Sequence, residues 1–396
     1  MADKTPRGRI LRVRLENYKS IKSCDVALEQ ITILVGQNAT GKSNFLDSLS
    51  FIADALRFSF EYALSNRGGG NRIVFRNASQ FKYDNFSVGL DGIVNEVHFN
   101  YLVEVKLRLA NDGTTYSSAY VSRENLSIDG GHFFEVKDGR LIDTSIDFPP
   151  VFSAETLYLT RVSGVPAFRS VFGFLTNIKI YNPSPDLIRT NLNKDFAYTS
   201  LTKNAENLHS IAFNEFKVQS SAFSKISQYL SKIINNYHGF SLAFGKNLDI
   251  GIVYDEKENL SFSTVNLSDG TLRAIAILFS LFQTSNYSSE GTLIALEEPE
   301  LFLHPAAMGV LLDAIREASN ESQIVYSTHS PDLLDRIDLD KEKLLVVSNY
   351  PGSTRIAQVD AASKEVVRRH LYSLGDLLRM NQLEPELPTP EPESKL

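Results

Sequence analysis

The octapeptide GQNATGKS, Gly36 to Ser43, constrains the fold of this chain more than any other stretch. It fits G-x-x-x-x-G-K-[ST] and follows the solid apolar run Ile31 to Val35. From Lys42 to about Leu64, the apolar positions Phe45, Leu46, Leu49, Ile52, Ala53 and Leu56 recur at helical spacing. A strand, a glycine loop and a helix in that order turn backbone N–H groups toward an anion, and the helix start adds its dipole. In such a loop Lys42 reaches the β- and γ-phosphates of a nucleotide and the Ser43 hydroxyl ligates Mg2+.

Around this unit the chain changes character several times. RILRVRLENYKSIKSCDVALEQ alternates apolar and polar residues, which predicts edge strands leading into the buried one. From about Ile93 to Leu159, stretches such as EVHFNYLVEVKLRLA keep period two between NDG, DGG and KDG turns, predicting antiparallel strands. From about Val165 to His238, segments such as AFSKISQYLSKIINNY switch to helical spacing. TLIAL at 292–296, QIVYS at 323–327 and KLLVV at 343–347 are short buried strands with helical segments between, the pattern of a parallel sheet covered on both faces. The final EPELPTPEPESKL is rich in Pro and Glu and predicts disorder. No sustained heptads occur, so no long coiled coil is expected.

Composition adds limits. Hydrophobic residues make up 43% of the 396 and charged residues 22%, as in an ordinary globular chain, and the net charge of −7 supplies no global attraction for nucleic acid. Local basic residues, Arg7, Arg9, Arg12, Arg14, Lys19 and Lys22, then Arg67, Arg72 and Arg76 around a glycine tract, leave DNA contact open. The single Cys24 excludes an intramolecular disulfide and reads as a small buried residue. The opening residues lack the core of a secretory signal, and AIAILFSLF at 274–282 falls far short of the roughly 20 residues a membrane helix needs, so a cytoplasmic protein without a membrane is expected.

The strand TLIAL runs into Glu297, Glu298 and Glu300, and the carboxyl end of such a strand faces the ligand in a parallel sheet. Glu297 is the candidate Mg2+ ligand and Glu298 the candidate general base for an attacking water. Crowded carboxylates raise one another's pKa unless a cation is present. Glu300 starts the next turn or caps a helix. His329, just past QIVYS, lies at the same sheet end and is placed to hold a γ-phosphate and the attacking water. His304 is read as structural or interfacial. In NLSDGTLRAIAILFSLFQ, Ser268 and Asp269 have N-cap chemistry and Gly270 and Thr271 carry free N–H groups, an anion-binding helix start.

In this order the pieces resemble the ABC-type ATPases of the SMC, RecF and OLD group. LENYKSIKSCDVALEQITILVGQNATGKSNFLDSL is similar to that group's opening strands and Walker A motif, LSDGT to its signature, LIALEEPELFLHP to Walker B with the D-loop, and STHSPDLLD to the switch-histidine segment. YSLGDLLRMNQL is similar to the end of OLD-like AAA-type ATPases of bacterial anti-phage systems. The resemblance implies an α/β P-loop head with a mostly parallel core sheet, an antiparallel β-rich lobe and an inserted helical lobe. The head would take 1–92 and 261–383, the β-rich lobe 93–164, the helical insertion 165–260 and a disordered tail 384–396. ATP would be held by Gly36, Asn38, Gly41, Lys42, Ser43 and Asn44 of one subunit and Ser268, Asp269 and Gly270 of another, in a head-to-tail homodimer or a higher homo-oligomer. Mg2+ would be held by Ser43, Glu297 and a Q-loop residue, for which Gln80 and Asn77 are both candidates. Walker B has Glu297 where many relatives have Asp, and the signature has Asp269 where transporters have Gly. The function implied is an ATP-hydrolysing switch that controls a separate effector protein in anti-phage defence. The alternatives are an ATP-dependent scaffold that sequesters an effector, a RecF-like DNA-repair ATPase and, last, a transporter's nucleotide-binding domain. Too little chain follows His329 for the nuclease that OLD proteins often carry, so such an activity is expected in another chain.

Overall fold

The computed structural model describes residues 7–76, 83–109, 116–150, 155–191, 198–244, 248–255, 260–286, 288–350 and 352–386. Among the described residues sixteen strands fall into three sheets. β1 (Gly8–Tyr18), β2 (Ile21–Ala27), β4 (Asn85–Val94), β5 (Val97–Leu109), β6 (Tyr116–Ile128), β7 (His132–Lys137) and β8 (Arg140–Thr144) form a seven-stranded sheet of order β2-β1-β4-β5-β6-β7-β8, antiparallel throughout. β3 (Ile31–Val35), β9 (Ile178–Tyr181), β13 (Leu293–Glu297), β14 (Gln323–Thr328), β15 (Lys343–Tyr350) and β16 (Ser353–Gln358) form the core sheet, of order β16-β15-β3-β14-β13-β9. Only β16 runs antiparallel in it. β10 (Gly239–Phe244), β11 (Leu248–Asp255) and β12 (Leu260–Ser263) make a small antiparallel sheet.

The core sheet separates two hydrophobic cores, because alternate residues of a strand point to opposite faces. Leu293 and Ala295 of β13, Val325 of β14 and Leu34 of β3 join one core with the helix Lys42–Arg57 and the antiparallel sheet. Ile294, Leu296, Ile324, Tyr326, Ile33 and Val35 join the other, under the helices Asp269–Phe282, Met308–Ala318 and Ser221–Ile233. Burial on both faces is why these strands read as continuous apolar runs. With P-loop, acidic strand and histidine strand adjacent, the sheet brings three segments of distant sequence to one end.

Several expectations change. β1 is internal, paired on both sides, and of the two only β2 lies at an edge of the sheet. The boundary after residue 92 falls inside β4, and the β-rich meander is continuous with β1. The first helix stops at Arg57, because Ser59 adopts extended backbone and its hydroxyl accepts from Tyr62 N to start a new helix, Phe60–Ser65. The region 165–260 is not wholly helical: β9 is four residues long, too short to show a period, and β10 to β12 close the region. At the other end, Pro385 bridges Val359 and Glu386 N donates to Gln358 O at 2.7 Å, so 384–386 are structured; 387–396 lie outside the described residues. The KDG turn is a tight hairpin with Asp138 and Gly139 both at positive φ, 47° and 72°, as its twist requires. No described helix exceeds 16 residues, and none is long and apolar enough to cross a membrane. Cys24 is buried, which pushes its thiol up to about 12.

Glu124 of β6 ties the antiparallel sheet to the helix that packs beside it. Its fully buried carboxylate accepts from Tyr101 Oη at 2.9 Å and from the backbone N–H groups of Tyr158 and Leu159, at the start of the helix Tyr158–Val162. Burial raises its pKa from an ordinary 4.5 to about 7. The folded chain therefore keeps a proton that the unfolded chain releases, so stability is lost as pH rises from about 4.5 to about 7. Glu124→Gln should remove up to about 3 kcal/mol of that pH dependence. Urea unfolding of both chains at pH 5 and pH 8 checks it, and equal losses in the two would refute it.

Candidate functional site: a phosphate loop beside an acidic strand end

The loop Gly36–Ser43 is built as its sequence requires. A Cβ on Gly36 would meet Val347 O at 2.1 Å, and Gly41, at φ +108°, would place one 2.3 Å from Thr354 Oγ1. Lys42 is buried, and its Nζ donates to Gly36 O at 2.7 Å and Gln37 O at 2.9 Å, so the ammonium sits within the curl of the loop. Burial lowers its pKa, while Glu298 and Glu300 act to raise it. Asn38 is exposed. Asn44 Nδ2 donates to Ser20 Oγ at 2.6 Å, which lies 2.7 Å from Thr354 Oγ1, which donates to Thr40 O at 2.7 Å. This relay braces the loop from β16, a role for Thr354 that sequence reading missed.

The acids stand directly opposite. Ser43 Oγ donates to Glu297 Oε2 at 2.9 Å, and Lys203 Nζ lies 3.0 Å from Glu297 Oε1. The extra methylene of Glu297 relative to Asp therefore does not keep it from the loop's hydroxyl. Glu298 is held at φ +46°, a conformation costly for a residue with a side chain, and its N–H donates to Ser327 O at 3.1 Å and Ser327 Oγ at 3.2 Å. β14 thus fixes the turn that lifts the Glu298 carboxylate out of the strand. His329 Nδ1 comes within 3.3 Å of Glu298 Oε1, outside hydrogen-bond alignment, and has no other partner.

Glu300 starts a turn as expected, its carbonyl accepting from Leu303 N at 2.9 Å. It is also buried, accepts from Thr328 Oγ1 at 2.6 Å and His329 N at 3.3 Å, and so anchors the histidine segment. Its pKa is raised by burial, not by mutual repulsion of the acids. Repulsion is answered by Arg273, buried in the helix Asp269–Phe282. Arg273 Nη2 donates to Glu297 O at 2.9 Å, Glu298 O at 3.0 Å and Asn182 Oδ1 at 3.2 Å, and Nη1 to Pro183 O. Burial lowers its pKa and the three glutamates, Glu300 first, act to raise it. Its signal in the sequence was a lone charge inside TLRAIAILFSLF, which a buried helix tolerates only with partners.

The signature residues occupy the start of the same helix. Ser268 Oγ accepts from Thr271 N at 3.2 Å, as a cap, and Asp269 Oδ1 is paired with Arg189 Nη2 at 2.5 Å. Gly270 packs on the D-loop: a Cβ there would lie 2.4 Å from Phe302 O. His304 caps the turn after the D-loop, Nδ1 accepting from Ala306 N at 3.2 Å. Gln80 and Asn77 lie outside the described residues. Asn182, at the exit of β9 beside the acidic strand and bonded to Arg273, has a polar side chain at the site that sequence reading did not single out. Lys203, whose carbonyl accepts Asn182 N at 2.8 Å, had no sequence signal.

Four of the nine basic residues that leave DNA contact open pair with acids within the chain. Arg12 pairs with Asp25, Arg14 with Asp91, Lys19 with Asp47, and Arg67, buried, with Asp47 and Asp54. Arg72 and Arg76 line a shallow cleft with Lys19 and Asn44.

The donor set fits a nucleotide with Mg2+. Among the described residues no cluster of three or more His, Cys, Asp or Glu side chains can hold a metal by itself. A hydroxyl and a carboxylate beside a phosphate loop are hard oxygen donors that suit Mg2+ when phosphate oxygens complete its shell. The fold and this arrangement define an ABC-type ATPase head of the SMC and OLD kind. The chain belongs to the family described as "AAA domain, putative AbiEii toxin, Type IV TA system", whose profile matches residues 31–335. It is 22% identical over 351 residues to the Old nuclease of Escherichia phage P2, covering 82% of this chain and 57% of that one. It is 20% identical over 389 residues to Endonuclease GajA of Bacillus cereus (strain VD045), covering 92% and 60%. The chain thus spans less than two thirds of the length of either relative. A crystal structure of an SmcHead bound to the C-winged helix domain of ScpA shares the fold, with TM-score 0.54 and 15% identity over 90% of this chain and 99% of that one.

Proposed function

We propose that this chain is an ATP-hydrolysing switch that closes as a head-to-tail dimer around ATP and controls a separate effector in bacterial anti-phage defence. The observation that carries it is the convergence of Ser43, Glu297, Glu298 and His329 at one sheet end, with Ser43 Oγ 2.9 Å from Glu297 and His329 Nδ1 3.3 Å from Glu298. Similarity to the Old nuclease and to GajA supports the defence setting.

In this reading Gly36, Asn38, Gly41, Lys42, Ser43 and Asn44 cradle the phosphates, with the Lys42 ammonium over the β- and γ-phosphates. Ser43 and Glu297, with Gln80 as the Q-loop residue, would hold Mg2+, which would neutralise charge on the phosphate oxygens. Glu298 takes the proton of the attacking water, and His329 orients that water and the γ-phosphate. Ser268, Asp269 and Gly270 serve the partner's nucleotide, since in their own chain they contact Thr271, Arg189 and the D-loop. The effector, a cytoplasmic location and any DNA contact belong to this proposal.

Light scattering tests the composite site. With ATP and Mg2+ the native chain and Glu298→Gln should gain mass to at least a dimer, and Lys42→Ala should not. A monomer under every condition would sink the shared-site reading.

A further inference from the structure

The C-terminal stretch YSLGDLLRMNQL has no part in the chemistry above, yet it touches both halves of the site. Asn381, at φ +55°, turns its side chain onto the phosphate loop, and its Oδ1 accepts from Gln37 Nε2 at 2.8 Å. Two residues earlier, Arg379 closes on the helix Pro331–Leu334 that follows His329. Its Nη2 lies 2.7 Å from Asp332 Oδ1, and Nη1 lies 3.5 Å from Asp335 Oδ2 and 3.1 Å from Asp376 Oδ1. Gly375 N also donates to Asp335 Oδ1 at 2.8 Å, across a gap so close that a Cβ there would meet Asp335 Oδ1 at 2.4 Å and Pro331 O at 2.5 Å.

The helix Leu374–Arg379 is itself fixed. Ser373 and Asp376 form a capping box, and Leu374 and Leu377 are buried in the same core as Leu333 and Leu334. The bracket therefore has a rigid base and two polar arms, one on Gln37 and one on Asp332 and Asp335.

The second arm matters because the His329 ring is not held by its own hydrogen bonds. Among the described residues Nδ1 has no hydrogen-bond partner, only the Glu298 carboxylate 3.3 Å away and out of alignment, so the ring's place follows mainly from the backbone of 328–335. That backbone is set on one side by Glu300, through Thr328 Oγ1 and His329 N, and on the other by the contacts to Arg379 and Gly375. Arg379 is also half-exposed, where ion pairs stabilise a fold little. Stability gives a weak reason for one guanidinium to gather three carboxylates; position gives a strong one.

We propose that Ser373–Asn381 is a bracket that sets His329 against the tip of the phosphate loop, with Arg379 and Asn381 as positioning residues for hydrolysis. The inference rests on the hydrolytic reading above. Without Arg379, Asp332, Asp335 and Asp376 repel one another and the His329 segment shifts. A displacement of that kind far from the reacting atoms costs roughly 10- to 100-fold in rate.

Steady-state ATP hydrolysis by full-length chains tests it, in the native and His329→Ala backgrounds and with melting temperature as a control. Arg379→Ala should lower kcat about 10-fold or more while KM for ATP and the melting temperature stay near native. Arg379→Lys, which keeps one charge contact, should recover part of the rate. In the His329→Ala background Arg379→Ala should cost nothing further, because the residue acts through His329. Asn381→Ala, which frees Gln37, should instead raise KM about fivefold, the worth of one hydrogen bond. Equal losses from Arg379→Ala in both backgrounds, or an unchanged kcat in the native one, would overturn the bracket while leaving the hydrolytic reading intact. Hydrolysis that is absent from the native chain, or unaffected by Glu298→Gln, would overturn both.

Discussion

Glu298→Gln should lower the rate of ATP hydrolysis by about 100- to 10,000-fold, the range a positioned general base supplies, while leaving nucleotide affinity within a few-fold. The substitution changes one oxygen for an amide of the same shape. Glu298 N keeps its two bonds to Ser327, the αL turn at φ +46° is retained, and Arg273 keeps the Glu298 carbonyl. What is lost is the capacity to take a proton. A single-turnover measurement with preformed ATP complex separates this loss from any change in product release. If the variant turned over ATP at the native rate, Glu298 would not be the base, and the strained turn that presents it would need another purpose.

The second large effect falls on stability. Arg273→Leu should destabilise the chain by about 3–5 kcal/mol, the cost of removing one partner from a buried charged group. Leucine fits the apolar helix, but it strands the carbonyls of Pro183, Glu297 and Glu298 and the Asn182 amide, and it leaves three glutamates without their buried cation. Arg273→Lys should recover part of the loss, since an ammonium restores charge but cannot span acceptors on two loops. Urea midpoints at pH 7 for the three chains provide the check. A leucine variant as stable as the native chain would mean that the acids are compensated from elsewhere, with Lys203 the first place to look.

The features legible in the sequence are those written in contiguous residues. Gly36–Ser43 needs specific residue types at fixed spacing because backbone N–H groups must face inward, and β13, β14 and β15 need apolar residues on both faces. The features hidden from it are contacts closed over long sequence distance. Arg273 reaches Pro183, Lys203 reaches Glu297, and Thr354 reaches Thr40, each through one polar side chain with no periodic pattern. The reading of Glu300 was incomplete for a related reason: proximity to Pro299 pointed to the turn it starts, but not to its side-chain bonds with Thr328 and His329. A formal charge count likewise cannot see that Arg67 lies between two aspartates.

Both margins of the core sheet are partly covered. At one, β9 is only four residues long and carries the buried Lys179, and Arg57 takes the carbonyls of Ile178 and of Thr176 just before the strand. At the other, β16 is overlaid by 384–386, with Glu386 N on Gln358 O and Arg355 on Glu386 O. A row of unpaired backbone groups is what lets one sheet recruit a strand from another molecule, and at both margins some of these groups are already taken. In the proposed dimer, copies of this chain would then meet through loops and side chains more than through paired strands, and contacts of that kind would separate more readily than a merged sheet.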